Sequence, residues 1–250
     1  MCPYIEIRDF RIPTFPFVII LAIFITGVVY ITSARYSKAY LLDELKKSIP
    51  ILVGAAIGGR LTSAITLLPI SQNPFWYNLL FGGSVFYGGL IGGCISLAII
   101  CSIKKQSFLE RTDVIATLLP VGHAIGRFGC FLNGCCYGCK YNGFLSVNYP
   151  INGDYDKVFP TWFLEIAFCL LLFLYFQFIC KVEIRGIRTA TYFVSYSCYR
   201  FLTEYLRGDD IRGIWGNFST SQIMSIFILL AGVIVLIYSC KKKEYNYMIR

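Results

Sequence analysis

Seven long apolar runs, at about 15–33, 50–68, 84–103, 112–126, 160–180, 189–206 and 221–240, constrain this chain more than any other feature. A helix of about 20 mainly apolar residues crosses the ~30 Å hydrocarbon core of a bilayer, and the sequence supplies such a run several times over. Charge occupies roughly a quarter of a typical soluble domain. Here 15% of 250 residues are charged, 56% are hydrophobic and the mean hydropathy is +0.63, so the bilayer is the solvent. The expected fold is all-α, a polytopic membrane helical bundle of about seven transmembrane helices. One integral membrane domain over 1–250 accounts for nearly everything. The runs at 112–126 and 189–206 are short or carry polar residues, and these are predicted to lie inside the bundle or to end at a site.

The net charge of +9 does not point to nucleic acid, because Lys and Arg fall in short clusters between apolar runs. Cytoplasmic loops of membrane proteins collect such residues. A cytoplasmic C-terminus places Arg35, Lys38, Lys46, Lys47, Lys104, Lys105, Arg111, Lys181, Arg185, Arg188, Lys241, Lys242, Lys243 and Arg250 inside, fourteen in all. The other face receives seven: Arg8, Arg11, Arg127, Lys140, Lys157, Arg207 and Arg212. The asymmetry predicts an external N-terminus and an extracytoplasmic insertion at about 127–159. The opening MCPYIEIRDF lacks the basic segment of a cleavable signal peptide, so the first helix is expected to be retained.

Nine of the eleven cysteines fall into two kinds. Cys94, Cys101, Cys169, Cys180 and Cys198 stand in apolar runs and read as small buried hydrophobes. Cys130, Cys135, Cys136 and Cys139 fall in a Gly-rich polar stretch, where the C-x-x-C pair Cys136 and Cys139 fits a disulfide, a redox pair or a metal site that His123 would complete. His123, the single histidine, otherwise reads as a packed residue near a helix end or a proton carrier. Gly54, Gly58, Gly82, Gly83, Gly88, Gly89, Gly92 and Gly93 are first explained by close helix packing.

Arg60 lies inside an apolar run, and Arg200 and Glu204 stand at i, i+4 spacing in SYSCYRFLTEYLRGDD. Charges at membrane depth cost several kcal/mol unless paired or hydrated. They read either as a structural ion pair or as a polar cavity for an anionic head group. Arg127 opens GRFGCFLNGCCYG, where a helix is expected to end and expose backbone N–H groups, and its planar fork of donors suits phosphate oxygens. With no Walker-type glycine loop in the sequence, arginines at this depth favour a phospholipid over a nucleotide.

These motifs resemble those of the prolipoprotein diacylglyceryl transferase family. GRFGCFLNGCCYG is similar to the family signature G-R-x-G-N-F-x-N-x-E-x-x-G at Gly126, Arg127, Gly129, Phe131, Asn133 and Gly138. GGR ending at Arg60, YGGLIGG from Tyr87 through Gly88 and Gly89, FPTWFLE ending at Glu165, YRFLTEYLRGDD with Arg200, Glu204 and Arg207, and STSQIMS with Gln222 resemble further motifs in the family's order. The chain departs from the pattern where Tyr87 replaces a His, Cys130 an Asn and Cys135 a Glu.

The resemblance implies transfer of a diacylglyceryl group from phosphatidylglycerol to a lipobox cysteine thiol of a prolipoprotein, with release of glycerol 1-phosphate. It implies catalytic roles for Tyr87, Arg127, Arg200 and Glu204, and substrate binding by Arg60, Gly88, Gly89, Cys130, Asn133, Cys135, Gly138 and Arg207. Arg127 and Arg200 would clamp the phosphate, while a phenol at Tyr87 is a poor base at neutral pH. No cofactor, metal or nucleic acid is implied. The implied location is the bacterial plasma (inner) membrane, as a multi-pass protein with its site toward the extracytoplasmic side. The departures leave room for a different acceptor, for a membrane thiol oxidoreductase using Cys136 and Cys139, or for a noncatalytic lipid-binding protein.

Overall fold

The computed structural model describes residues 4–7, 10–33, 38–68, 73–81, 86–151, 154–180, 184–208, 214–215 and 218–248. Among these the fold is all-α, built from α1 (Thr14–Ser33), α2 (Lys38–Leu67), α3 (Phe75–Phe81), α4 (Phe86–Ile103), α5 (Phe108–Asn133), α6 (Thr161–Leu174), α7 (Ile187–Thr203) and α8 (Thr220–Met248). Three small antiparallel hairpins accompany them: β1 (Tyr4–Ile7) with β2 (Phe10–Pro13), β3 (Val147–Ile151) with β4 (Asp154–Val158), and β5 (Ile214–Trp215) with β6 (Phe218–Ser219). Spans Lys46–Leu67, Phe108–Asn133, Thr161–Ile179 and Thr220–Lys241 are long and apolar enough to cross a membrane, and Thr14–Tyr30 and Gly88–Ile103 are shorter apolar helices. The protein is a polytopic membrane protein.

All seven expected helices are present, α2 beginning at Lys38 rather than at about 50, with two further differences. The helix expected over 112–126 runs from Phe108 to Asn133, so Arg127, Cys130 and Asn133 stand on a helix and not in an external loop. Arg127 therefore does not mark a helix end with free backbone N–H groups. Of the glycines that suggested a break, Gly129 is a packing position, where a Cβ would lie 3.0 Å from Val18 of α1, and Gly126 faces open space. The second difference is α3, seven residues after Pro74, too short at ~1.5 Å per residue to cross a bilayer.

The chain divides into two compact units, Ser33–Arg111 and the combination of Met1–Thr32 with Thr112–Arg250. In the first, α2 and α4 meet along glycines. A Cβ on Gly58 would come 3.0 Å from the Gly92 Cα, and one on Gly88 would collide with the Gly58 carbonyl oxygen and the Thr62 hydroxyl. Association in a bilayer gains little from burying apolar surface, so close backbone approach supplies the dispersion contact. Arg60 donates from Nη1 to the carbonyls of Leu79 (3.2 Å) and Leu80, satisfying the C-terminal end of α3.

In the second unit, α7 begins without a capping side chain of its own at Gly186. Asp113 of α5 supplies the cap: its carboxylate accepts from the Gly186 N–H at 2.6 Å, the Thr189 N–H at 2.8 Å and the Thr189 hydroxyl at 2.7 Å. An anion at a helix N-terminus is favoured by the helix dipole as well as by the bonds themselves. α8 starts with a capping box, in which the Ser219 N–H donates to Gln222 Oε1 (3.0 Å) and the Gln222 N–H donates to Ser219 Oγ (3.2 Å). The two caps fix where α7 and α8 begin, and so fix the register of the polar residues they carry.

Candidate active site

Helical spacing builds the site. His123, Arg127 and Cys130 share a face of α5 at i, i+4 and i+7, and Tyr192, Tyr196, Arg200 and Glu204 stand four apart along α7 and the single 3₁₀ turn that ends it. Between these two stripes stands Glu165 of α6, 4% exposed. One oxygen of its carboxylate, Oε1, accepts from Arg127 Nε at 2.8 Å and from the Tyr196 hydroxyl at 3.0 Å, with His123 Nε2 at 3.4 Å. His123 is enclosed by the Tyr192 and Tyr196 hydroxyls, each 3.3 Å from a ring nitrogen. It belongs to this carboxylate network and not to the cysteines.

Arg200, itself buried, pairs with Glu204 at 2.9 Å and donates to Ser221 Oγ at 2.9 Å. Ser221 is in the first turn of α8, so the capping box of that helix also sets the position of a side chain on α7. A buried Arg–carboxylate pair repays its desolvation only with good geometry and further hydrogen bonds. Here Arg200 has such a further bond, to Ser221 Oγ.

The segment after α5 is pinned to the start of α6. The Trp162 indole N–H donates to the Cys135 carbonyl at 2.6 Å, the Thr161 hydroxyl donates to the Cys136 carbonyl at 2.8 Å, and the Cys135 N–H returns to the Cys130 carbonyl at 3.2 Å. Gly134 (φ 86°) and Cys136 (φ 60°) turn the chain back, and a non-glycine residue in the left-handed region persists only where its surroundings fix it. The sulfur atoms of Cys130, Cys135 and Cys136 consequently lie within 4.8 Å of one another. Cys139 is not a member of that group, so the C-x-x-C spacing does not define the cluster. Asn133, the last residue of α5, hydrogen-bonds the Cys135 thiol. Hydrogen bonds from Cys130 and Cys135, with the nearby Arg127 and Arg207 charges, hold the Cys136 thiol well below its ordinary range.

Gly138 bridges to Arg207 as a short antiparallel contact, with the Cys139 N–H donating to the Leu206 carbonyl at 2.8 Å and the Gly208 N–H to the Tyr137 carbonyl at 3.0 Å. This bridge carries Arg207 to the thiols. A side chain at Gly138 would collide with the Phe159 carbonyl, so glycine is required there. The outcome is a small cavity lined by Arg127, Cys136, Thr161, Trp162, Glu165, Arg200, Thr203 and Arg207. Three guanidinium groups, one carboxylate and one thiol converge on it.

The chain belongs to the prolipoprotein diacylglyceryl transferase family. The model of that family matches residues 3–238. The chain is 32% identical over 245 residues to phosphatidylglycerol–prolipoprotein diacylglyceryl transferase 2 of Clostridium perfringens, covering 95% of this chain and 94% of that protein. It is 31% identical over 217 residues to the phosphatidylglycerol–prolipoprotein diacylglyceryl transferase of Clostridium tetani, covering 84% and 87%. A Listeria monocytogenes protein of that name is 30% identical over 226 residues, covering 85% and 79%.

Arg127, Arg200 and Arg207 meet at the cavity, Glu204 holds Arg200, and Cys130, Cys135, Asn133 and Gly138 surround the thiol-bearing turn. Arg60, Gly88 and Gly89 lie in the Ser33–Arg111 unit, where Arg60 satisfies α3, Gly88 is buried against α2, and a Cβ on Gly89 would lie 3.3 Å from the Ala55 carbonyl. Tyr87 is in the first turn of α4, and its side chain is outside the described residues. The sequence reading passed over Glu165 and Tyr196 as site residues. The four-residue spacing of Tyr192, Tyr196, Arg200 and Glu204 was the signal available for the latter.

Proposed function

We propose that this protein is a phosphatidylglycerol–prolipoprotein diacylglyceryl transferase of the bacterial plasma membrane, a single integral membrane domain with its site toward the extracytoplasmic face. The observation that carries the reading is the convergence of Arg127, Arg200 and Arg207 on one cavity in a member of this family. An acceptor thiolate attacks the glyceryl carbon that bears the phosphate. The carbon–oxygen bond breaks, and glycerol 1-phosphate departs with the electron pair. Negative charge grows on the leaving phosphate, where guanidinium donors aimed in advance stabilise the transition state. Glu165 and Glu204 hold Arg127 and Arg200 in place, and the low dielectric around them strengthens each contact. Arg60, Gly88, Gly89, Asn133 and Gly138 belong to the same proposal as groups that shape substrate binding, with Tyr87 as the group nearest in kind to a base.

Complementation of a strain depleted of its own transferase tests the function. The wild-type chain restores growth and yields lipid-modified prolipoprotein, and Arg127→Ala does neither. A wild-type chain that is made and inserted but leaves prolipoprotein unmodified contradicts the reading.

A further inference from the structure

Three thiols from two parts of the chain are brought together beside the cavity, and the transfer reaction as described assigns them nothing. Cys130 comes from α5 and Cys135 and Cys136 from the turn after it, with all three sulfur atoms within 4.8 Å of one another. A Zn–S bond of about 2.3 Å separates tetrahedral sulfur ligands by ~3.8 Å, so the group closes onto one ion by moving each sulfur less than ~1 Å. The backbone that carries them is already fixed through Trp162, Thr161 and the Cys135–Cys130 hydrogen bond. The three side chains are free thiols, not joined as a disulfide.

We propose that Cys130, Cys135 and Cys136 form a soft-metal site of the Zn²⁺ class, whose fourth position opens to the cavity and takes the acceptor cysteine thiol. Thiolate sulfur selects soft and borderline cations. Three thiolates with a divalent cation carry a net charge of −1, which the neighbouring Arg127 and Arg207 compensate. Cys136 belongs both to the thiol group and to the cavity wall, so an ion held there faces the arginines that receive the phosphate. Three protein ligands with one open position is the pattern of catalytic rather than structural zinc.

The chemistry suits an acceptor that must be a thiolate, and it rests on the transferase reading above. On coordination the acceptor S–H releases its proton to solvent, since a metal-bound thiol is deprotonated outright. A sulfur electron pair then forms the S–C bond to the glyceryl carbon as the C–O bond breaks and its electron pair leaves on the phosphate. The product is a thioether, a weaker ligand than a thiolate, and departs. The site thereby supplies the deprotonation that Tyr87 is poorly suited to perform.

Binding can be read without turnover. Full-length protein in detergent, reduced and freed of metal by chelation, is titrated with Cd²⁺ and followed by the ultraviolet cadmium–thiolate absorbance. The expected result is one cation per chain, with affinity lowered at least ~10-fold in each of Cys130→Ser, Cys135→Ser and Cys136→Ser. Cys139→Ser should bind as wild type does. A Co²⁺-loaded sample should change its visible spectrum on addition of a lipobox peptide containing cysteine but not of the same peptide with serine. Absence of a cadmium–thiolate band in folded, fully reduced wild-type protein overturns the metal site, as does equal loss of binding in Cys139→Ser. A cobalt spectrum indifferent to the cysteine peptide overturns the acceptor role. These arms contain no lipid, so a metal site that forms in a protein unable to transfer counts against the transferase reading alone.

Discussion

The Ser33–Arg111 unit and the α5–α6–α7 region solve the problem of holding helices together in a bilayer by opposite means. In the first, α2 and α4 approach until glycine faces glycine, and Arg60, which is exposed, serves backbone carbonyls. In the second, helices meet through Glu165, Arg127, Tyr196, Arg200 and Glu204. Packing of small residues needs no desolvated charge, whereas a charged network is costly and is retained where charge is needed for chemistry. The contrast is between packing by shape and packing by charge.

Substituting Gly88 breaks the comparison most severely. A Cβ there would collide with a backbone carbonyl, which cannot move aside as a flexible side chain can, so α2 and α4 must part to admit it. Gly88→Ala should therefore lower the melting temperature in detergent and the yield of folded protein. A variant that melts as wild type does would contradict the close approach of α2 and α4 at this glycine.

Glu165→Gln should come next. It leaves Arg127 buried beside a neutral amide, and breaking one side of a buried pair costs about 3–5 kcal/mol. Both thermal stability and glycerol phosphate release should fall, because the same carboxylate orients Arg127, Tyr196 and His123. If release falls while the melting curve is unmoved, Glu165 touches substrate rather than positioning Arg127.

Smaller effects sharpen the boundary. Ser221→Ala removes one hydrogen bond to Arg200, worth about 0.5–1.5 kcal/mol, and should slow transfer a few-fold with the fold intact. For Cys136 the depressed thiol range means that thiolate persists as pH falls. In metal-free protein its alkylation, followed by mass spectrometry, should fall less steeply between pH 8 and 6 than that of an ordinary thiol. An ordinary thiol slows by about tenfold per unit there, and that behaviour at Cys136 would contradict the assigned hydrogen bonds and charges.

The apolar runs made the helices legible in the sequence, because membrane thickness dictates their length. The i, i+4 spacing of Arg200 and Glu204 likewise announced the pair that the structure contains. The end of α5 was not legible. Glycines at 126 and 129 resemble a break when no neighbour is known, and only contact with Val18 shows that Gly129 serves packing. Glu165 was obscured by the apolar residues around it, since its partners come from α5 and α7. The thiol group was obscured for a different reason: C-x-x-C spacing points to Cys136 and Cys139, while the turn at Gly134 and Cys136 returns the chain to Cys130.

The central claim is that Arg127 acts on the leaving phosphate. Its direct measure is the initial rate of glycerol 1-phosphate release from labelled phosphatidylglycerol, with a lipobox peptide as acceptor, for purified wild-type protein and Arg127→Ala, each folded and monodisperse at the assay temperature. Loss of a donor aimed at developing charge typically costs on the order of 10²–10³ in rate, and Arg127→Ala should fall by at least that much. Release within a few-fold of wild type from a folded Arg127→Ala protein would contradict the account.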